Sequence, residues 1–160
     1  MISKRLQERL NQQIGHELTA SQQYLGMAAY CGGLNLSGWQ AFFERQSEEE
    51  RTHALRIFRF LLEVGAPVRL PALPEVKTEY ASLLEANQAA LAYEQKVTRD
   101  FQAMAQAALE ENDHTTYAFL QWYLQEQIEE ESQFSRLVSL LESGLNPFLA
   151  ESLLPKGEEE

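Results

Sequence analysis

Cysteine is nearly absent from this chain. Cys31 stands alone in 160 residues, so no intrachain disulfide can staple the fold, and stability has to come from a buried core, for which one domain of this length is large enough. A single thiol suits a reducing compartment better than an oxidising one, and cytoplasmic residence is the expectation. No stretch approaches the roughly 18 consecutive apolar residues of a membrane span, and the opening Met1-Ile2-Ser3-Lys4-Arg5 has no apolar signal core. Positive charge is scarce as well: 13 Lys and Arg face 24 Asp and Glu, a formal net charge of −11. That balance argues against nucleic acid and anionic membranes as partners and in favour of metal cations. Part of the surplus is the tail Glu158-Glu159-Glu160, read as a solvated end.

What the chain does have is helical period. Four stretches place apolar residues at steps of three and four. The first reads Leu10, Ile14, Glu17, Ser21, Tyr24, Ala28, Cys31, and Gly32-Gly33 ends it. The second reads Trp39, Phe43, Gln46, Glu50, His53, Ile57, Phe60, Val64, with Ser37 as the expected N-cap and Gly65-Ala66-Pro67 as the stop. The third, capped by Ser82, reads Leu83, Asn87, Ala90, Glu94, Val97, Phe101, Met104, Ala108, and the fourth Leu120, Tyr123, Gln127, Glu130, Phe134, Leu137, Leu141. Asn146-Pro147 opens a short fifth helix.

These signals predict an all-α fold in one domain over residues 1–160, with helices at about 3–32, 37–64, 82–111, 113–142 and 147–154. Residues 65–81 hold Pro67, Pro71 and Pro74 and show no helical period. Each flanking helix is about 42 Å long at 1.5 Å per residue, and an extended segment of this size reaches roughly 55 Å. The segment can therefore return along the whole bundle, making the second and third helices parallel: a four-helix bundle with one long crossover.

Each apolar stripe carries a carboxylate near its middle: Glu17, Glu50, Glu94 and Glu130, with His53 one turn beyond Glu50 and Gln127 one turn before Glu130. A buried ionised carboxylate is too costly to keep unless it is paired or bound to a metal. No Lys or Arg lies on the four stripes, so an internal salt-bridge network lacks its cations. Mixed oxygen and imidazole donors suit divalent iron or manganese, whereas zinc without thiolates would be over-supplied with oxygen. The pattern predicts a two-metal site inside the bundle.

The run Glu49-Glu50-Arg51-Thr52-His53, together with Glu17, Tyr24, Glu94 and Phe119-Leu120-Gln121-Trp122-Tyr123 before Glu126-Gln127-Ile128-Glu129-Glu130, resembles the bacterial non-haem ferritins over nearly the whole chain. The resemblance implies a ferritin-like bundle and ferroxidase activity: Fe(II) is oxidised by dioxygen or hydrogen peroxide at a di-iron centre, and the product is stored as mineral in a twenty-four-subunit homo-oligomeric cage. It also implies that Glu17, Glu50 and His53 bind one iron and that Glu50, Glu94 and Glu130 bind the second, with Gln127 beside them. Glu49, Glu126 and Glu129, with Glu130, resemble a third iron site facing the cage interior. Tyr24 would supply an electron as a redox-active phenol.

Other features are read beside this resemblance. Thr52 stands where a bacterioferritin would carry a haem-ligating methionine, and Glu130 where it would carry a histidine, so no haem is expected. A rubrerythrin-like di-iron oxidase or peroxidase that forms no cage is the alternative function, although one cysteine is too few for the rubredoxin domain such proteins usually append. Trp122, off the core stripe, is assigned to packing or subunit contact, and Cys31 to a buried thiol. The acidic turn Glu110, Glu111, Asp113, His114 falls where ferritins build three-fold channels, while the fifth helix, followed by Pro155-Lys156-Gly157, is short for the lining of a four-fold pore.

Overall fold

The computed structural model describes residues 2–157; the acidic tail lies outside them. Four long helices, α1 Lys4–Gly33, α2 Ser37–Glu63, α3 Leu83–Glu110 and α4 His114–Glu142, are followed by α5 Pro147–Ala150 and a 3-10 turn Glu151–Leu153. None of the helices among the described residues is long and apolar enough to cross a membrane.

Local chemistry sets the ends. Ser3 caps α1 by accepting from the Leu6 N–H. Ser82 and Glu85 cap α3 together, Ser82 accepting from the Glu85 N–H and Glu85 from the Ala81 N–H. Asp113 caps α4 through the Thr116 N–H at 2.9 Å. Behind α2, Gly65 takes φ 72° and the Ala66 N–H returns to the Leu61 carbonyl at 2.8 Å, a glycine stop that satisfies carbonyls left open by the helix end.

Ser37 is not the cap of α2. It is the first helical residue, and Leu36, in the N-cap position, makes no side-chain cap bond. The duty passes to Glu151, whose carboxylate accepts from the Gly38 N–H at 2.9 Å and the Trp39 N–H at 3.4 Å. Trp39 in turn donates its indole N–H to the Pro147 carbonyl at 2.9 Å. The α-helical part of the fifth helix ends at Ala150, short of the expected 154. Leu154 is extended (φ −65°, ψ 144°) because Pro155 disfavours helical geometry in the residue before it.

Contacts fix the topology. Glu17 faces His53 and Ser21 faces Ser47, so α1 and α2 are antiparallel. Arg5 meets Glu110 and His16 meets Asp100, making α1 and α3 antiparallel, so α2 and α3 are parallel. The segment between them runs without helix against α1, where Asn11 clasps it: the Asn11 amide donates to the Pro67 carbonyl at 2.9 Å, and its oxygen accepts from the Arg69 N–H at 2.5 Å. Farther along, Gly26 lies under the Lys77 carbonyl so closely that a Cβ there would overlap the oxygen. Gly26→Ala is therefore expected to lift the crossover at a cost of about 1–3 kcal/mol, seen as a melting temperature lower by about 5 °C. An unchanged melt would mean that this contact does not hold in solution.

The apolar interior falls into two clusters. One gathers Leu10, Ile14, Ile57, Leu61, Phe101 and Leu120; the other gathers Ala28, Trp39, Phe42, Phe43, Phe134 and Leu137. Between them lies a buried polar layer containing Glu17, Glu50, His53, Glu94, Gln127 and Glu130.

Candidate metal centre

The helical period brings one carboxylate from each long helix to the same depth, and all four are buried. Glu17, Glu50 and His53 come closest: each offers a ligand atom, and these three atoms lie within 4.8 Å of one another. His53 Nδ1 is 3.8 Å from Glu17 Oε2 and 3.5 Å from Glu50 Oε2. The Tyr123 hydroxyl fixes the backbone beneath the ring by donating to the His53 carbonyl at 2.7 Å.

Glu94 and Glu130 belong to the same layer but not to that trio. Glu94 accepts from the Tyr24 hydroxyl at 2.5 Å on one oxygen and from the Gln127 amide at 3.0 Å on the other. Glu130 accepts from the Gln46 amide at 2.9 Å, and Gln133 donates to the Gln46 oxygen at 3.2 Å. Glu17 accepts from the Gln13 amide at 2.7 Å. Two buried oxygens, Glu17 Oε2 and Glu50 Oε1, have no hydrogen-bond partner. A buried carboxylate oxygen left open costs its desolvation in full, so the arrangement is complete only when a cation or protons occupy it.

The titration behaviour says the same. Burial pushes the carboxyl of Glu17 well above its ordinary range, with the Glu50 charge adding to it. Burial also raises Glu50, reinforced by Glu94, and raises Glu94 itself. Glu130 is pushed up to about 9, by burial first and then by Glu94 and Glu49. Without metal, the layer holds protons to higher pH than exposed carboxylates do, because burial and mutual repulsion oppose ionising all four.

Glu49 and Glu129 are exposed and Glu126 is half-buried, so the structure does not bring them into the close trio; all three lie on the α2 and α4 side. Tyr24 is buried between Phe43 (centroids 6.1 Å) and Phe134 (5.7 Å), and burial raises its phenol, with Glu94 adding to the shift. Packing and contact with a site carboxylate therefore coexist. Trp122 packs edge-on to the His53 ring, centroids 5.4 Å apart, beneath the Arg56 guanidinium at 4.1 Å. Cys31 is buried and its thiol pushed up to about 12 by burial, an inert side chain. In the acidic turn, Asp113 is spent on its cap, and Glu110 and Glu111 sit 3.4 and 3.7 Å from Arg5.

Residues 7–143 match the family described as the ferritin-like domain. The chain belongs to the ferritin family. It is 40% identical over 141 residues to a bacterial non-heme ferritin of Staphylococcus haemolyticus, covering 88% of this chain and 85% of that protein. A bacterial non-heme ferritin of Staphylococcus aureus is 39% identical over the same length. Among solved structures, the open pore ferritin of the archaeon Archaeoglobus fulgidus superposes with a TM-score of 0.94 at 34% identity, covering 98% of this chain and 100% of that one. A humanized archaeal ferritin superposes with a TM-score of 0.93 at 31% identity, covering 99% of this chain and 100% of that one. The all-α ferritin-like bundle and the family resemblance expected from the sequence are thus both met.

Two residues that touch the layer carboxylates were given no site role by the sequence pattern. Gln13 and Gln46 are buried donors to site carboxylates. Gln46 is visible on its stripe as a polar residue one turn before Glu50. Gln13 carries a fainter signal, one turn before Glu17 but beside the stripe.

Proposed function

We propose that this ferritin chain oxidises Fe(II) to Fe(III) at the polar layer and stores the product. Glu17, Glu50 and His53 hold one Fe(II). Glu50, Glu94 and Glu130 hold the second, so that Glu50 bridges and Gln127 braces Glu94. The observation that carries this reading is the pair of orphaned oxygens: Glu17 Oε2, 3.8 Å from His53 Nδ1, and Glu50 Oε1, on the carboxylate whose other oxygen lies 3.5 Å from the same nitrogen. Iron is the substrate here, and the chain's part is to hold two ions at bridging distance with coordination positions left open to the oxidant, dioxygen or hydrogen peroxide.

Tyr24, whose hydroxyl donates to Glu94, gives up an electron during oxidation in this reading. Glu49, Glu126 and Glu129, with Glu130, form a third iron site through which ferric product leaves on the α2 and α4 side. The whole chain acts as one ferritin-like domain, assembles with copies of itself into a twenty-four-subunit cage in the cytoplasm, and binds no haem. A compact dimer in solution would instead favour the non-cage oxidase reading.

The test loads Fe(II) anaerobically and then mixes it rapidly with dioxygen, reading ferric absorbance against iron per chain. A fast phase saturating near about two irons per chain, with slower growth beyond, is expected. No acceleration over buffer would sink the proposal.

A further inference from the structure

Gln13 contributes nothing to the apolar stripe of α1, yet it is only 2% exposed. Its amide has a partner at each end. The N–H donates to Glu17 Oε1 at 2.7 Å, and the oxygen faces His16 Nδ1 at 3.4 Å. His16 Nδ1 also lies 3.6 Å from Asp100 Oδ2, which accepts from Lys96 Nζ at 2.8 Å. The Tyr93 hydroxyl holds the backbone of that turn by donating to the His16 carbonyl at 2.6 Å. Gln13, His16 and Asp100 line a cavity of about 240 Å³ on the seam of α1 and α3, across the bundle from Glu49, Glu126 and Glu129 on α2 and α4.

We infer that Gln13 is a positioning residue that sets how Glu17 meets the metal. A free carboxylate can chelate a cation with both oxygens or bind it with one. Gln13 ties Oε1 to its amide, leaving Oε2, the oxygen without a hydrogen-bond partner, as the one that faces His53. Glu17 is thereby restricted to a single donor oxygen. The ion held with Glu50 and His53 then keeps a low coordination number, and positions stay open for the oxidant. A hydrogen bond of this kind fixes the orientation of the ligand and which of its oxygens is free to bind.

The inference rests on the reading of Glu17, Glu50 and His53 as metal ligands, and the experiment separates the two. Cobalt(II) is titrated anaerobically into the parent, Gln13→Met and Gln12→Met proteins, reading the visible ligand-field band. Methionine keeps the length and helix preference of glutamine without the donor. Gln12, exposed on the same wall and outside the site, is the control. In Gln13→Met the freed Glu17 oxygen is expected to raise the coordination number. The cobalt band would then weaken and shift, while Gln12→Met keeps the parent band and circular dichroism stays helical in all three. If Gln13→Met bound cobalt with the parent band, the positioning role would be refuted with the metal site intact. If the parent itself bound no cobalt, the ligand assignment would fall and this inference with it.

Discussion

Glu50→Gln is expected to abolish rapid Fe(II) oxidation and, at the same time, to raise the melting temperature of the metal-free protein. Glu50 is the carboxylate that faces both halves of the layer. It lies 3.5 Å from His53, and it feels the charges of Glu94 and Glu130. Among the described residues it is also the layer carboxylate with no amide or phenol donating to it, its Oε1 being unpartnered. Glutamine keeps the shape but supplies a weak neutral ligand, so neither ion is held at bridging distance. The oxidation rate should drop at least about 100-fold, because losing even an outer partner of a metal ligand costs about 10- to 100-fold and Glu50 is read as a ligand itself. In the metal-free state, however, the same change removes a buried acid whose ionisation burial opposes. A gain on the order of 1 kcal/mol follows, or about 3 °C in the melt. Stopped-flow absorbance and scanning calorimetry read the two effects. A variant that oxidised iron at the parent rate would remove Glu50 from the centre; one that melted lower would mean the parent layer is already satisfied without metal.

The metal-free protein should also lose stability as pH rises, opposite to the behaviour of a protein held by carboxylate salt bridges. Glu17, Glu50, Glu94 and Glu130 all have folded-state pKa values above those of the unfolded chain. The folded state therefore binds more protons than the unfolded state in the interval between the two. The stabilisation is fully present below the ordinary carboxylate pKa and is lost as pH climbs through the raised values, reaching about 9 for Glu130. A tenfold difference in proton affinity between the folded and unfolded states is equivalent to about 1.4 kcal/mol. Because the four groups share their protons, we expect a loss of a few kcal/mol between about pH 5 and pH 9, roughly 10 °C in melting temperature. Divalent metal replaces the protons, so saturating cobalt should flatten the profile, and metal affinity should rise with pH. Melts in chelator and in cobalt across that range test both statements. A chelated melting temperature that rose with pH would contradict the protonated layer.

Much of this site could be read directly, because a helix converts spacing into direction. Glu17 among Leu10, Ile14 and Tyr24, or Glu130 among Tyr123 and Phe134, can only point inward if the helix forms, and each of these residues is buried. Ser82 and Gly65 were equally legible, since a cap and a left-handed stop are local events. What escaped was tertiary. Ser37 has the chemistry of a cap, yet Glu151, more than a hundred residues later, reaches the same N–H groups, and no local pattern announces it. Gln13 looks like one of many glutamines on a polar face until α3 is packed beside it. Gly26 reads as a weak point in a helix, and only the crossover's path explains it.

The direction of the helices has a consequence of its own. With α2 parallel to α3, each helix touches neighbours that run opposite to it: α1 beside α2 and α3, and α4 beside α2 and α3. The partial charges at the helix ends therefore alternate around each rim of the bundle, and their fields largely cancel toward its middle, where they have in any case decayed. The carboxylate layer sits at that midpoint, several turns from every terminus. No backbone dipole is available to soften four neighbouring acids. A single imidazole, His53, stands against them, so most of the charge that balances four ionised acids has to arrive from outside the polypeptide.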